Sequence, residues 1–192
     1  MMRVITGVAK GKKLKTLEGD ATRPTSERIK GAIFSSIQFE IEGRRVLDLF
    51  AGSGQMGIEA LSRGAERAFF VDASRDAMEI VKANLEACGF LDRAKYLVQD
   101  YRNYIRKAQG REKFDLVFID PPYADKSALG AVELLVRADM LSEGAIVCLE
   151  AGCEFSGDEA ELSGFRILKN TSYGKKSSVL IAIYASKESE YV

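Results

Sequence analysis

The chain is predicted to fold as an α/β domain, a doubly wound, mostly parallel sheet with helices on both faces, and three observations predict it. Short apolar runs rich in β-branched and aromatic residues alternate with helical stretches over residues 45 to 149. The first run leads into Asp48-Leu49-Phe50-Ala51-Gly52-Ser53-Gly54-Gln55-Met56-Gly57, which satisfies G-x-G-x-x-G in a strand-turn-helix setting. Asp72 closes the second run, 20 residues after Gly52, where such a sheet places a carboxylate for ribose hydroxyls.

Residues 2 to 16 alternate weakly around Gly7 and Gly11 and predict a short hairpin. A helix is expected from Thr25, with Thr25 as its cap, Glu27 in its first turn and an apolar stripe of Ile29, Ile33, Phe34 and Ile37; Gly43 ends the segment. Strands are then expected at 45–50, 67–72, 94–98, 114–119 and 145–149, with helices at about 55–63, 75–88, 100–109 and 126–139 between them. The alternation breaks at the end. Phe165 to Thr171 and Ser177 to Tyr184 read as strands joined by Ser172-Tyr173-Gly174-Lys175-Lys176, too short for a crossover helix, so they predict an antiparallel hairpin.

A chain of 192 residues suits one core with an appendage. Hydrophobic content of 46% beside 29% charged residues is that of a water-soluble protein, and no apolar run approaches the roughly 20 residues that span a bilayer. Met1 to Gly7 lacks the apolar stretch of a secretory signal, so a cytoplasmic location is expected. Cys88, Cys148 and Cys153 form no Cys-x-x-Cys pair, which argues against a disulfide framework and a zinc site. Histidine is absent, so His-ligated metals and Ser-His-Asp triads are excluded, and no metal is expected. Charge is balanced at 28 basic and 28 acidic residues, yet residues 1 to 30 carry eight basic side chains against three acidic ones. Arg3, Lys10, Lys12, Lys13, Lys15 and Arg23 make this arm either a solvated face or a footprint for nucleic acid phosphates.

Asp120-Pro121-Pro122-Tyr123 follows the apolar run Phe114 to Ile119 and so falls at the carboxyl end of a buried strand, where open α/β sheets bind ligands. The Asp120 carboxylate can accept from an amine, Pro121 offers only its carbonyl, Pro122 stiffens the turn, and Tyr123 can stack on a planar ring. Such a set points to methylation of an amino nitrogen. A simple Pro-Pro turn is the competing reading. Asp48 separates the two nucleoside cofactors that suit the loop Ala51-Gly52-Ser53-Gly54. It would sit poorly beside the pyrophosphate of NAD and well beside the cationic sulfonium of S-adenosylmethionine, although it could also cap the loop's own amides. Asp100 could accept from an adenine amine or serve as an N-cap, and Glu150 ends the fifth strand with no assigned partner.

With the flanks included, the chain resembles the ribosomal RNA small subunit methyltransferase D family. The resemblance spans roughly residues 2 to 185 and is carried by Arg3-Val4-Ile5-Thr6-Gly7, Gly11-Lys12-Lys13-Leu14, Arg23-Pro24-Thr25-Ser26-Glu27-Arg28, the glycine loop and Glu59-Ala60-Leu61-Ser62-Arg63-Gly64-Ala65. It implies a seven-stranded class I methyltransferase sheet in the order 3-2-1-4-5-7-6 with its last strand antiparallel. It further implies S-adenosylmethionine as cofactor, 16S rRNA or the small ribosomal subunit as partner and N2 of a guanine as target; separately, a monomer is expected. The family's acidic residue and asparagine are replaced by Gly31 and Ser35, which receive no role. The expected division is 1–24 as a basic hairpin, 25–186 as the methyltransferase domain and 187–192 as a tail. A DNA adenine or cytosine amino methyltransferase, a protein glutamine methyltransferase and a non-catalytic RNA-binding protein with a vestigial cofactor fold are the alternatives.

Overall fold

Apolar runs without polar alternation demand cover on both faces, and the computed structural model supplies it. It describes residues 2–17, 24–122, 127–152, 155, 163–174 and 177–185, with the backbone alone at 24–26 and 127. The strands are β1 (Arg45–Asp48), β2 (Arg67–Asp72), β3 (Ala94–Val98), β4 (Phe114–Ile119), β5 (Leu141–Ala151), β6 (Phe165–Ser172) and β7 (Ser178–Tyr184). They form one sheet in the order β3-β2-β1-β4-β5-β7-β6. All neighbouring pairs from β3 to β5 are parallel, whereas β7 runs antiparallel to both β5 and β6. The order and the reversed last strand agree with the expectation.

Among the described residues five α-helices cover the sheet: α1 (Pro24–Ser36), α2 (Gln55–Ser62), α3 (Arg75–Cys88), α4 (Tyr101–Ala108) and α5 (Ser127–Arg137). Side chains alternate between two cores. Val46, Phe70, Leu116, Phe118, Ile146 and Cys148 join Ile33, Phe34, Ile58 and Val81 of α1, α2 and α3. Leu47, Phe69, Val117, Ile119, Val147 and Leu149 join Tyr104, Ile105, Val132 and Leu135 of α4 and α5. Among the described residues no helix is long and apolar enough to cross a membrane.

Several boundaries differ from the sequence reading, β1 for example ending at Asp48 rather than at residue 50, and two of the differences have a local physical reason. Helix α1 starts at Pro24, so Thr25 lies inside its first turn rather than capping it. Proline fits that turn because its missing N–H would have had no intrahelical acceptor. Strand β5 begins at Leu141, which pairs with Phe114 ahead of a register shift. The polar Ser142-Glu143-Gly144 stretch hides this start, and Gly144 adopts φ 73° there.

Residues 2 to 14 form the expected hairpin. Val4 N donates to Lys12 O at 2.9 Å and Leu14 N to Met2 O at 2.9 Å, and Arg3 lies opposite Lys13. Its apolar members Met2, Val4, Ala9 and Leu14 are buried in the core beside α1 and α2.

Candidate functional site

Strand periodicity gathers carboxylates at one edge of the sheet. Asp48 is two residues beyond Val46, Asp72 two beyond Phe70 and Glu150 two beyond Cys148, so all three point to the face carrying α1, α2 and α3. Asp120 lies just past the end of β4, between β1 and β5 in the sheet. Its negative charge acts on both Asp48 and Glu150.

Asp48 is buried and accepts from Gly57 N through Oδ2 at 3.0 Å. Burial pushes its carboxyl up to about 8, opposed by the Gly57 hydrogen bond and helped by the charges of Asp120 and Asp72. Asp72 holds the glycine loop: Oδ2 accepts from Gly52 N at 2.9 Å and Oδ1 from Ser74 N at 2.8 Å. Ala51 N reaches Val71 O at 3.1 Å, and Gly54 N returns to Ala51 O at 2.6 Å, closing the loop.

The glycines of this loop have separate reasons. Gly52 has φ +51° and open space where a Cβ would stand, whereas a Cβ on Gly57 would lie 2.3 Å from the Phe70 ring. The first leaves room beside the backbone, and the last lets α2 settle onto β2. Two buried polar atoms flank the region without a hydrogen-bond partner among the described residues: Gln55 Oε1 and Gln99 Nε2. A polar ligand seated on the loop would complete them.

Asp100 is the N-cap of α4, its Oδ1 accepting from Arg102 N at 3.0 Å and Asn103 N at 3.1 Å. The structure therefore gives it the capping half of its two expected roles. Asp120 and Pro122 are exposed and Pro121 is buried; Tyr123 lies outside the described residues. Glu150 is half-buried, and burial together with the charge of Asp120 pushes its carboxyl up to about 8.

Arg3, Lys10, Lys12, Lys13 and Lys15 are all exposed on the hairpin, whereas Arg23 lies outside the described residues. Sequence reasoning missed how this hairpin is held. Glu59, fully buried on α2, accepts from Ile5 N at 2.7 Å and Thr6 N at 2.9 Å. It also pairs with Lys30 at 3.0 Å and Arg63 at 2.9 Å. Ser62 Oγ accepts from Ala9 N at 3.0 Å and donates to Thr6 O at 2.6 Å. Buried Asn84 of α3 joins hairpin to loop: Oδ1 accepts from Lys15 N at 2.8 Å, and Nδ2 donates to Lys15 O at 3.0 Å and Ser53 O at 2.9 Å. Polar residues on apolar helix faces, Glu59 beside Ile58 and Ala60 and Asn84 beside Leu85, were the available signal.

Comparison with known proteins bears directly on this arrangement. A family model described as conserved hypothetical protein 95 matches residues 2–182. A Bacillus subtilis protein provisionally named an rRNA methyltransferase, YlbH, is 41% identical over 150 residues, which are 78% of this chain and 82% of that one. The Haemophilus influenzae ribosomal RNA small subunit methyltransferase D is 33% identical over 151 residues, 78% of each chain. The crystal structure of the Haemophilus influenzae protein HI0767, provisionally a methylase, superposes with a TM-score of 0.79 at 27% identity, covering 96% of this chain and 98% of that one. With the match running through hairpin, glycine loop and strand ends alike, the chain belongs to the conserved hypothetical protein 95 family, that of the ribosomal RNA small subunit methyltransferases D.

Proposed function

We propose that the protein methylates the exocyclic N2 amine of a guanine in 16S rRNA, with S-adenosylmethionine as methyl donor. The observation that carries the reading is the juxtaposition of two strand ends: β1, with Asp48 and the glycine loop, lies directly beside β4, with Asp120-Pro121-Pro122. A cofactor held by the first is adjacent to an amine held by the second. When bound, S-adenosylmethionine supplies a methyl group on a cationic sulfur, open to attack by an amine lone pair.

The chain's own groups fit that cofactor. Asp48 would offer a buried carboxylate to its positive end, Gly52 and Ser53 would offer backbone at close approach, and Asp72 and Asp100, at the end of β2 and the start of α4, would take its nucleoside part. On the substrate side, Asp120 and the Pro121 carbonyl are both acceptors, and two acceptors on one amino group keep lone-pair density on nitrogen. No strong base is needed beforehand. The alkylated nitrogen is acidic and loses its proton to Asp120 or water, which suits a chain without histidine. Tyr123 is the expected stacking platform for a base turned out of its helix.

The hairpin supports an RNA substrate. Arg3 sits opposite Lys13, and like charges across a strand pair destabilise it unless a polyanion lies against them. The names of the relatives point the same way. Purified protein should transfer labelled methyl groups to small subunits or 16S rRNA from cells lacking the enzyme, and digestion should yield N2-methylguanosine. Label found only as N6-methyladenine in duplex DNA would overturn the reading.

A further inference from the structure

Asp120 alone does not distinguish guanine from the other bases that carry an exocyclic amine, and the group beside it supplies the missing selectivity. We propose that Glu150 reads the lactam edge of the target guanine, accepting a hydrogen bond from N1–H and donating one to O6 while Asp120 holds the N2 amine. The proposal rests on the guanine-N2 reading above and deepens it.

Register places the two groups together. Strands β4 and β5 are parallel, with Phe118 beside Cys148 and Ile119 beside Leu149, and Asp120 and Glu150 each follow directly after the last of these paired residues. The Asp120 charge acts on the Glu150 carboxyl, so the two groups are close neighbours at this edge. Glu150 points to the same face as Asp48. Its neighbour on β7 is the apolar Val179.

The chemistry of the bases then discriminates. Guanine flanks its amine with a ring N–H and, next to that, a carbonyl oxygen. Adenine and cytosine place a bare ring nitrogen beside theirs. A neutral carboxyl carries one acceptor and one O–H donor side by side, the complement of N1–H and O6. Burial, and then the adjacent Asp120 charge, push the Glu150 carboxyl upward and favour that neutral form. The charge that bears on Glu150 among the described residues is that of Asp120, just past the end of β4. Val179 of β7 and Ile33 and Phe34 of α1 on the same face are apolar.

The test uses the full chain and small subunits reconstituted with rRNA carrying either guanosine or 2-aminopurine riboside at the methylated position. The analogue keeps the amine but lacks O6 and has a bare N1. Wild-type kcat/KM should fall about 10- to 100-fold on the analogue, the discrimination expected of one bidentate contact. Glu150→Ala should lose a similar factor on guanosine and show no further loss on the analogue. Glu150→Gln, whose amide also presents one acceptor and one donor, should restore the preference and carry it to pH values above about 8, where wild type loses it. Equal methylation of both substrates by wild type, or undiminished discrimination by Glu150→Ala, would overturn the role of Glu150 while leaving N2 methylation standing. Absence of N2-methylguanosine on the guanosine substrate would instead overturn the underlying function.

Discussion

Replacing Glu59 with glutamine removes one negative charge from a position where four groups depend on it, the Ile5 and Thr6 amides, Lys30 and Arg63. Lys30 is 1% exposed and Glu59 0%, so the variant leaves an ammonium buried without its counter-ion. Breaking a buried pair from one side costs about 3–5 kcal/mol. The structure also sets a ceiling. Lys30 can shed its proton, and taking a lysine from its unperturbed pKa of about 10.4 to neutrality at pH 7 costs about 4.6 kcal/mol. Burial already lowers the pKa of Lys30, with Glu59 opposing that shift, so removing Glu59 drives it further down. The unfolded chain then binds more protons than the folded one, and stability must rise with pH. At pH 9 the ceiling on the charge penalty falls to about 1.9 kcal/mol. Urea denaturation of wild type and Glu59→Gln at pH 7 and pH 9 reads this out directly, with amide exchange at Val4 and Leu14 reporting whether the hairpin stays docked. A deficit of roughly 3–5 kcal/mol at pH 7 that shrinks at pH 9 is expected. A deficit below about 1 kcal/mol, or one independent of pH, would refute the reasoning.

Three further outcomes are expected. Asp48 sits near pH 8 because it is buried, and a cationic ligand favours its ionised form, so binding of S-adenosylmethionine should release a proton and tighten from pH 6 to pH 8. Calorimetry in buffers of different ionisation enthalpy measures this, and a proton count unchanged by Asp48→Asn would count against it. Asp120→Ala should lower turnover by about 100-fold or more with cofactor binding largely kept, and near wild-type single-turnover rates would remove Asp120 from the chemistry. Gly7→Ala puts a Cβ 1.8 Å from Ser62 O at a φ of +86°, so the hairpin should lift from α2. RNA affinity should then weaken, with the salt slope flattening by roughly one unit per lost phosphate contact, while cofactor binding persists; an unchanged slope would separate the hairpin from RNA.

The sheet was legible because apolar runs, helical stretches and the glycine loop are local patterns. Strand order was not: the sequential neighbours β1 and β2 pair by the same kind of signal as β4 and β5, and only the family resemblance put β7 between β5 and β6. At the candidate site, Asp48, Asp72 and Gly52 stood out through their spacing. Their first duty in the fold, however, is to hold the loop itself, as with Gly52 N on Asp72. The hairpin socket was illegible for a physical reason. Ile5 and Glu59 are 54 positions apart and Lys15 and Asn84 are 69 apart, and periodicity within one helix carries no record of which distant backbone it will satisfy. Thr25 was misplaced by one position because both it and Pro24 suit a helix start, and proline takes the first turn without losing a bond.

The insertion of β7 between β5 and β6 has a consequence for synthesis. A ribosome releases β1 to β5 first, and the outer flank of β5 stays an open edge until Ser178 to Tyr184 emerge and pair along Ile146 to Ala151. An open edge of that kind recruits foreign strands. The wall that carries Glu150 is therefore among the last pieces to be completed during translation. Chains halted before Ser178 should accumulate as sticky, inert products rather than as weakened enzyme, giving quality control an all-or-none criterion for discarding them.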